Sequence, residues 1–550
     1  LPAVITQRTL QNMGIDLADV GKKRTNLNSQ QLGDPAKRAA DWKQYDRNPI
    51  FDDAEMQTII RTGVQRLTDM QLSDGGWGWF SGYGEHSSAH LTAQVVHGLK
   101  LAMQNDVPVL EDVPQRGIQW LKNYQAEQLA LLREGDRRRE RDAERAKNPS
   151  GKFDDASRNI PFKMQADDLD AFVALVIAES DESDRAMSDY LYRDRGSLSV
   201  YAKSLTGLLL HQQADHERRD MLLRNIEQFL VRDDENQTAW LRMNENTWWY
   251  WYGSENEAMA TYLKLLLAVR PNDETAPRLV KYLLNNRTHG TWWKSTRDTA
   301  LVIESLADYI RATGEDQPDM TIEVLVDGVR QKQVRITPEN FFSFDNVMLL
   351  SGDAVKSGEH KIEIRRTGKG PVYFSAYLTN FTKEDHITAA GLEVKVQRRF
   401  YLLERDDETV SVQGDRGQVV KQQSEKYKRI PLENLGTVSS GQLVEVELLL
   451  ESKNDYEYLL LEDRKPSGFE PDDQRSGYIF EGLTAYRELR DDRVGFFLSH
   501  LARGNHSVSY RMRAEAPSEK VSALPAKIEG MYAPELVGNS DEMKLRVQDR

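Results

Sequence analysis

The sequence predicts a multidomain protein in which a domain of paired helices, closing into a ring, is followed by two all-β units. Three observations predict it. Aromatic, glycine-bearing turns recur, each feeding an amphipathic helix; helical spacing of apolar residues runs to about Pro318; and beyond Pro318 the spacing drops to two.

The turns come first. Trp248, Trp249, Tyr250, Trp251 and Tyr252 precede Gly253, and Ser254 then opens a run in which Glu257 completes a capping box. Met259, Tyr262, Leu263, Leu266 and Leu267 form its apolar stripe. The pattern returns at Gly290-Thr-Trp-Trp293, where Ser295 and Asp298 take the cap roles ahead of Ala300, Val302, Ile303, Leu306 and Tyr309. It occurs earlier as Gly75-Gly-Trp-Gly-Trp-Phe80, followed by Leu91, Val95 and Leu99. The rings Trp77, Trp79, Phe80, Trp248, Trp249, Trp251, Trp292 and Trp293 either plug the ends of a helical barrel or line a ligand groove, and plugging is the default.

Taken in order, the chain opens on an apolar stretch at 1–15 that reads as a helix, followed by a polar stretch at 20–50. Helices are then predicted near 55–71, 87–103, 113–135, 165–180, 184–194, 200–211, 215–231, 254–269, 275–286 and 295–312. These make about eleven, where an even ring of hairpins wants twelve, so a further helix is expected upstream of Leu1. The stretch Arg133–Lys147 interleaves seven basic with five acidic residues and predicts a solvated, salt-bridged helical extension. Past Pro318, Val324 and Val326, Ile336, Phe342 and Phe344, Ile362 and Ile364, and Val372 with Phe374 predict a small sheet over 319–395, with Asp327-Gly328 as a turn. Val394-Lys-Val396, Leu443–Leu450, Tyr456–Leu461, Val494–Leu498 and Ser507–Met512 predict a second all-β unit, a sandwich.

Composition excludes several functions. A formal charge of -14, with no concentrated basic surface, argues against nucleic acid as a partner. With no cysteine, disulfides, thiolate metal sites, a cysteine nucleophile and a cysteine-derived thioester are ruled out within these residues. No stretch approaches the roughly 20 apolar residues that span a bilayer. The sequence starts at Leu1 without Met or an apolar leader, as a processed or trimmed chain would.

Candidate chemistry is sparse. His86 and His90 stand four apart, as metal ligands on a helix do, but lack a supporting carboxylate pattern, and helix-start histidines are the default. Asp167, Asp168 and Asp170 resemble the acidic motif of helical-toroid cyclases, although a helix first turn explains them more simply. Glu470, Asp472, Asp473, Asp491 and Asp492 offer oxygens for calcium without the spacing of an EF-hand. An enzyme of the toroid type, such as a polysaccharide lyase or a terpenoid cyclase, would need convergent groups around Asp168 and His211. A glycan-binding scaffold would use Trp77, Trp79 and Trp251.

Three segments, Gly75-Gly-Trp-Gly-Trp-Phe80, Trp251-Tyr-Gly-Ser-Glu-Asn-Glu-Ala258 and Trp292-Trp-Lys-Ser-Thr-Arg-Asp-Thr-Ala300, resemble the thioester domain of bacterial alpha-2-macroglobulin-like proteins. Gly368-Lys-Gly-Pro-Val-Tyr-Phe374, through Tyr377, resembles the CUB-like domain that follows it. Glu462-Asp-Arg-Lys-Pro-Ser-Gly-Phe-Glu-Pro471, Arg487-Glu-Leu-Arg-Asp-Asp-Arg493 and Pro525-Ala-Lys-Ile-Glu-Gly-Met-Tyr532 resemble the terminal macroglobulin domain.

The resemblance implies an α/α toroid over 1–318, a partial CUB-like domain over 319–395 and a receptor-binding-like macroglobulin β-sandwich over 396–550. It further implies the C-terminal part of a non-enzymatic protease trap of the cell envelope, periplasmic or held at the inner membrane by an upstream anchor. Such a trap acts by conformational change, with no catalytic residue, cofactor or metal. The implied partners are proteases trapped by the full-length parent, the parent's upstream macroglobulin domains and other envelope proteins of the same operon. Members often carry a Cys-x-Glu-Gln thioester. Here Leu1–Asp16 looks like the stretch just downstream of it, and the charged Arg133–Lys147 extension points to the thioester-less MagD-like subfamily. Trp249, Trp251, Trp293, Tyr456, Tyr458 and Tyr478 are the expected interface residues.

Overall fold

The computed structural model describes residue 5 and residues 52–549, except 81–83, 105, 148–159, 181–183, 244–253, 287–292, 316, 342–343, 353–354, 356–357, 375, 377, 379–385, 407, 414–418, 425, 474, 481 and 533–535. The chain divides into two compact units, one ending at Phe374 and the other running from Ser375 to the end.

The first unit contains ten described helices: α1 (Asp53–Asp69), α2 (Ala89–Gln104), α3 (Asp112–Lys147), α4 (Asp168–Ala178), α5 (Arg185–Arg193), α6 (Val200–Gln212), α7 (His216–Glu227), α8 (Glu255–Val269), α9 (Thr275–Asn285) and α10 (Thr296–Thr313). Each lies where the apolar spacing places one. The expected opening helix falls outside the described residues, Ile5 excepted. Start signals decide the boundaries: Asp52, Asp184, Ser199, Asp215, Ser254 and Ser295 each accept a backbone N–H of the first turn. Ser254 and Glu257 form the predicted reciprocal box.

Two layers follow from which faces are apolar. α4, α6 and α8 are buried around most of their circumference and line the inside with α2 and α10, whereas α3, α5, α7 and α9 bury one stripe and form the outside. The inner helices run parallel. Asp168 at the start of α4 accepts the Ser199 N–H at 3.1 Å, and Ser254 ahead of α8 donates to Asp298 of α10 at 2.9 Å. Arg297 of α10 reaches His90 of α2 at 3.4 Å, so the last described inner helix returns to the first. The resulting helical region is toroid-like.

Two details depart from expectation. Residues 230–231, assigned to a helix by their apolar character, instead begin a hairpin of β1 (Leu230–Asp233) and β2 (Thr238–Leu241). Its turn is closed by Asp233, whose carboxylate accepts the N–H groups of Glu235 and Asn236. The charged extension is helical as predicted, but its root is packed rather than solvated. Glu134 is buried between Arg137 and Arg141, and a Cβ on Gly135 would stand 2.1 Å from the Lys163 carbonyl oxygen.

After Gly314, in the left-handed conformation that ends α10, a three-stranded sheet forms in the order β4 (Val329–Ile336), β3 (Asp319–Val326), β5 (Ile362–Lys369). Asp327 and Gly328 both have positive φ, the conformation that a two-residue hairpin turn requires. The strands expected at Phe344 and at Val372–Phe374 are not formed, and Phe342 lies outside the described residues. Pro371, which has no N–H to give a ladder, stops β5 from continuing.

The second unit is a sandwich. Its five-stranded sheet runs in the order Tyr427–Leu432, Val394–Arg405, Leu443–Ser452, Gly504–Ala514, Phe469–Pro471. The seven-stranded sheet runs Gly477–Ile479, Ala485–Leu489, Arg493–Leu501, Tyr456–Arg464, Lys527–Gly530, Val537–Asn539, Ala390–Gly391. Phe400, Val446, Leu461, Phe496, Val508 and Met512 are among the core residues of this unit. A buried clamp crosses it: Arg398 pairs with Asp463 at 2.5 Å and donates to the Ala523 and Leu524 carbonyls, while the Tyr510 hydroxyl donates to Asp463 at 2.9 Å.

Candidate functional site

The aromatic turns resolve first into packing. Trp77 is 2% exposed; its indole N–H donates to the Leu67 carbonyl at 2.7 Å and its backbone N–H to the Thr92 hydroxyl at 2.9 Å. Trp293, 4% exposed, repeats the geometry with the Leu283 carbonyl at 2.8 Å and the Thr299 hydroxyl at 3.1 Å. In both repeats the acceptor lies ten residues back, and the threonine is the fourth residue of the following inner helix. Each ring braces the end of the preceding helix against the start of an inner helix, so Trp293 presents no docking surface and Trp77 cannot stack on a sugar. Trp79 and Phe80 are exposed. Trp248, Trp249, Trp251 and Trp292 lie outside the described residues.

The ring interior is polar in two layers. At the helix starts, the Arg297 guanidinium donates to Glu257 at 3.0 Å and faces His90. Burial pushes Glu257 up to about 7 against the pull of Arg297, and burial together with Arg297 pushes His90 down to about 4. Deeper in, His97 lies 2.8 Å from Glu179 and 3.3 Å from Glu304, and Lys264 bridges Glu304 and Asp308. Burial would lower the His97 imidazole, but the two glutamates override it and hold it at about 10. Neither layer was anticipated from the sequence, because these residues converge only when α2, α4, α8 and α10 are brought side by side.

The proposed catalytic groups do not converge. Asp168, its carboxyl raised by burial, is occupied at the start of α6, whereas His211 is twelve residues past Ser199, about 18 Å along that helix at 1.5 Å per residue. Asp167 and Asp170 form a capping box, and both pair with Lys163. His86 lies outside α2, and the guanidinium facing His90 disfavours a cation there. Among the described residues no group of three or more His, Cys, Asp or Glu could hold a metal ion. The acidic turns of the sandwich are engaged by cations of the chain itself: Glu470 by Lys465, Asp472 by Arg513, Asp473 by Arg487 and Asp492 by Arg493.

What the sandwich offers is an aromatic outer face. Tyr478, Tyr486, Phe497 and Leu460 are register partners across four strands of the seven-stranded sheet. Tyr478 is 71% exposed and stacks on Phe480, which is 76% exposed. Tyr458 interrupts the ladder between Glu457↔His500 and Leu459↔Leu498, at a φ of 55°. The register is the same on both sides of it, so no residue is inserted, but a non-glycine residue with that φ is strained. The exposed Tyr458 ring meets Tyr532 edge-on at 5.4 Å, and its carbonyl accepts the Met531 N–H. Tyr456 is more buried and accepts a hydrogen bond from Asn454. Tyr532, Phe480 and Tyr486 were not singled out from the sequence; the Met531-Tyr532 pair beside a turn was the available signal.

Comparison with known proteins gives two domain matches in chain order. Residues 42–309 match the A-macroglobulin TED domain, and residues 394–535 match the bacterial alpha-2-macroglobulin MG10 domain. The alpha-2-macroglobulin homolog of Nostoc sp. is 24% identical over 499 residues, covering 88% of this chain and 23% of that protein. The alpha-2-macroglobulin of Thermotoga maritima is 41% identical over 69 residues, 12% of this chain and 4% of that one. The chain thus spans less than a quarter of the length of these relatives. Among solved structures, trypsin-activated alpha-2-macroglobulin from Escherichia coli aligns at a TM-score of 0.41 and 17% identity, covering 90% of this chain and 30% of that one. The porcine-elastase-activated form aligns at 0.38 and 16%, covering 98% and 41%.

Proposed function

This chain is alpha-2-macroglobulin-like, with a TED-type domain ahead of an MG10-type domain, and from that premise we propose that it is the docking body of a protease trap. The observation that carries the reading is the order of the two matched domains, one on the helical ring and one on the sandwich. Such a trap works by changing which domain interfaces are populated once a protease cuts it, and the chemistry of bond cleavage belongs to the protease. The engagement of Asp168, His90, His97 and Glu257 within the helical domain fits a body that is moved rather than one that turns over substrate.

We assign docking to the aromatic outer face of the sandwich, with Tyr458 and Tyr478 as anchors, Tyr456 as support, and Trp249 and Trp251 as anchors on the helical domain. The domain limits proposed are 1–318, 319–395 and 396–550. We place the parent in the periplasm, in the thioester-less MagD-like subfamily, with upstream macroglobulin domains of the same parent and envelope proteins of its operon as partners. No described helix is long and apolar enough to cross a membrane. By resemblance to the family, we assign any membrane attachment to an anchor upstream of this chain.

The test uses the longer parent with trypsin or elastase. The protease that cleaves it is expected to co-elute with it on size exclusion while still hydrolysing a small peptide substrate. Protease that elutes free after cleavage overturns the trap. Labelled methylamine is expected to leave this chain unlabelled, since it contains no cysteine, and covalent label on it overturns the non-covalent reading.

A further inference from the structure

The end of the three-stranded sheet is fastened to the helical body by a hydroxyl relay. Tyr309, buried near the end of α10, lies 3.1 Å from the Tyr373 hydroxyl, which donates to Glu315 Oε1 at 2.9 Å. With Tyr373 donating to the carboxylate, its oxygen is able to accept from Tyr309, and Tyr309 interacts with Glu315 as well, so the three groups form one cluster. Burial raises Glu315 and both tyrosines, Tyr373 to about 12, so the hydroxyl protons stay in place at neutral pH.

Topology gives the relay its leverage. Asp319, where the chain enters the sheet, is the register partner of Lys369, where it leaves, so entry and exit lie at the same end. Entry is tied covalently to α10 through Gly314–Pro318. The exit segment 371–374 belongs to no strand, and Tyr373 is the residue that pins it to that same helix. The relay thus adds a second tie between the sheet and α10, at the exit end, beside the covalent one at the entry.

We propose that the Tyr309–Tyr373–Glu315 cluster is a clasp that locks the small sheet against the helical domain and, on opening, frees the sheet to swing about the Gly314 turn. The inference rests on the geometry of the first unit and does not depend on what the parent traps. The absence of native cysteine allows a clean test. Spin labels on Glu217→Cys and Gln331→Cys, both at exposed positions, report the distance between α7 and β4 in this chain. The unmodified clasp is expected to give one narrow distance population. Tyr373→Phe, which keeps the ring and loses the hydroxyl, is expected to add a second, broader population, and Glu315→Leu must do the same from the other side of the relay. Glu315→Gln, which retains an acceptor, is expected to keep the narrow population. If Tyr373→Phe and Glu315→Leu both leave the distribution unchanged, the clasp is overturned.

Discussion

Tyr458 shows what a single residue reveals about a site. Its left-handed backbone is costly for a side chain with a Cβ, on the order of 1–3 kcal/mol, and a strand in a sandwich core has no structural need of it. Tyr458→Gly is expected to stabilise the terminal unit by about 1 kcal/mol, read as a higher urea midpoint, while weakening docking in the parent. Equal loss of both would mean that the ring is only packing. The sequence made Tyr458 a candidate by its aromaticity alone, because nothing in the residues marks a left-handed φ inside a strand. Trp77 and Trp293 were fully legible as repeated turns, yet their burial was decided by carbonyls of preceding helices. His97 gives a prediction in pH. Its folded value near 10 stands above the ordinary 6.5, so its contribution is complete below about 6.5 and is lost as pH rises through about 10. The stability gap between wild type and His97→Asn, measured by urea unfolding, should therefore be widest near pH 6 and narrow by pH 10. A constant gap would sink this account.

At the scale of elements, the ten described helices were readable because cap residues and apolar stripes agree along the same stretches. The hairpin at 230–241 was not, since Phe229, Leu230 and Val231 continue an apolar run that fits a helix end as well as a strand. Gly135 in α3 separates two opposing effects. Alanine there gains about 1 kcal/mol of helix propensity, but its methyl would meet a backbone carbonyl at 2.1 Å, and overpacking of that kind costs about 1–3 kcal/mol. Gly135→Ala is expected to lower the melting temperature despite the better helix former; a rise would show that the 160–166 segment yields freely. In the sandwich, Asp463→Asn leaves Arg398 buried opposite a neutral group and is expected to cost about 3 kcal/mol or more in urea unfolding. Replacing Arg398 with Met in the same background should recover part of that loss.

For the whole molecule, fold class followed from the change of apolar period at Pro318, and the family resemblance from motifs spread across both units. The interior of the ring did not follow. Polar residues on an inner helix face look like surface residues until the ring is closed, and that is why the sequence offered Asp168 and His211 as a pair while the structure pairs His97 with Glu179 and Glu304. Mechanical function is consistent with such an interior. Charged groups that satisfy one another fix the register of the helices, whereas a catalytic pocket keeps some of them available for a ligand.

The parallel run of the inner helices carries a further consequence. Five helices that begin at the same mouth of the ring add their macrodipoles instead of cancelling them, each start counting as roughly half a positive charge. Glu257, Asp298, Asp168 and Asp170 stand at that mouth as built-in counter-ions, so the ring has an electrical direction that its own side chains largely neutralise. Strip those acids one at a time and the protein should turn into one whose stability climbs with the concentration of sulfate or phosphate in the buffer.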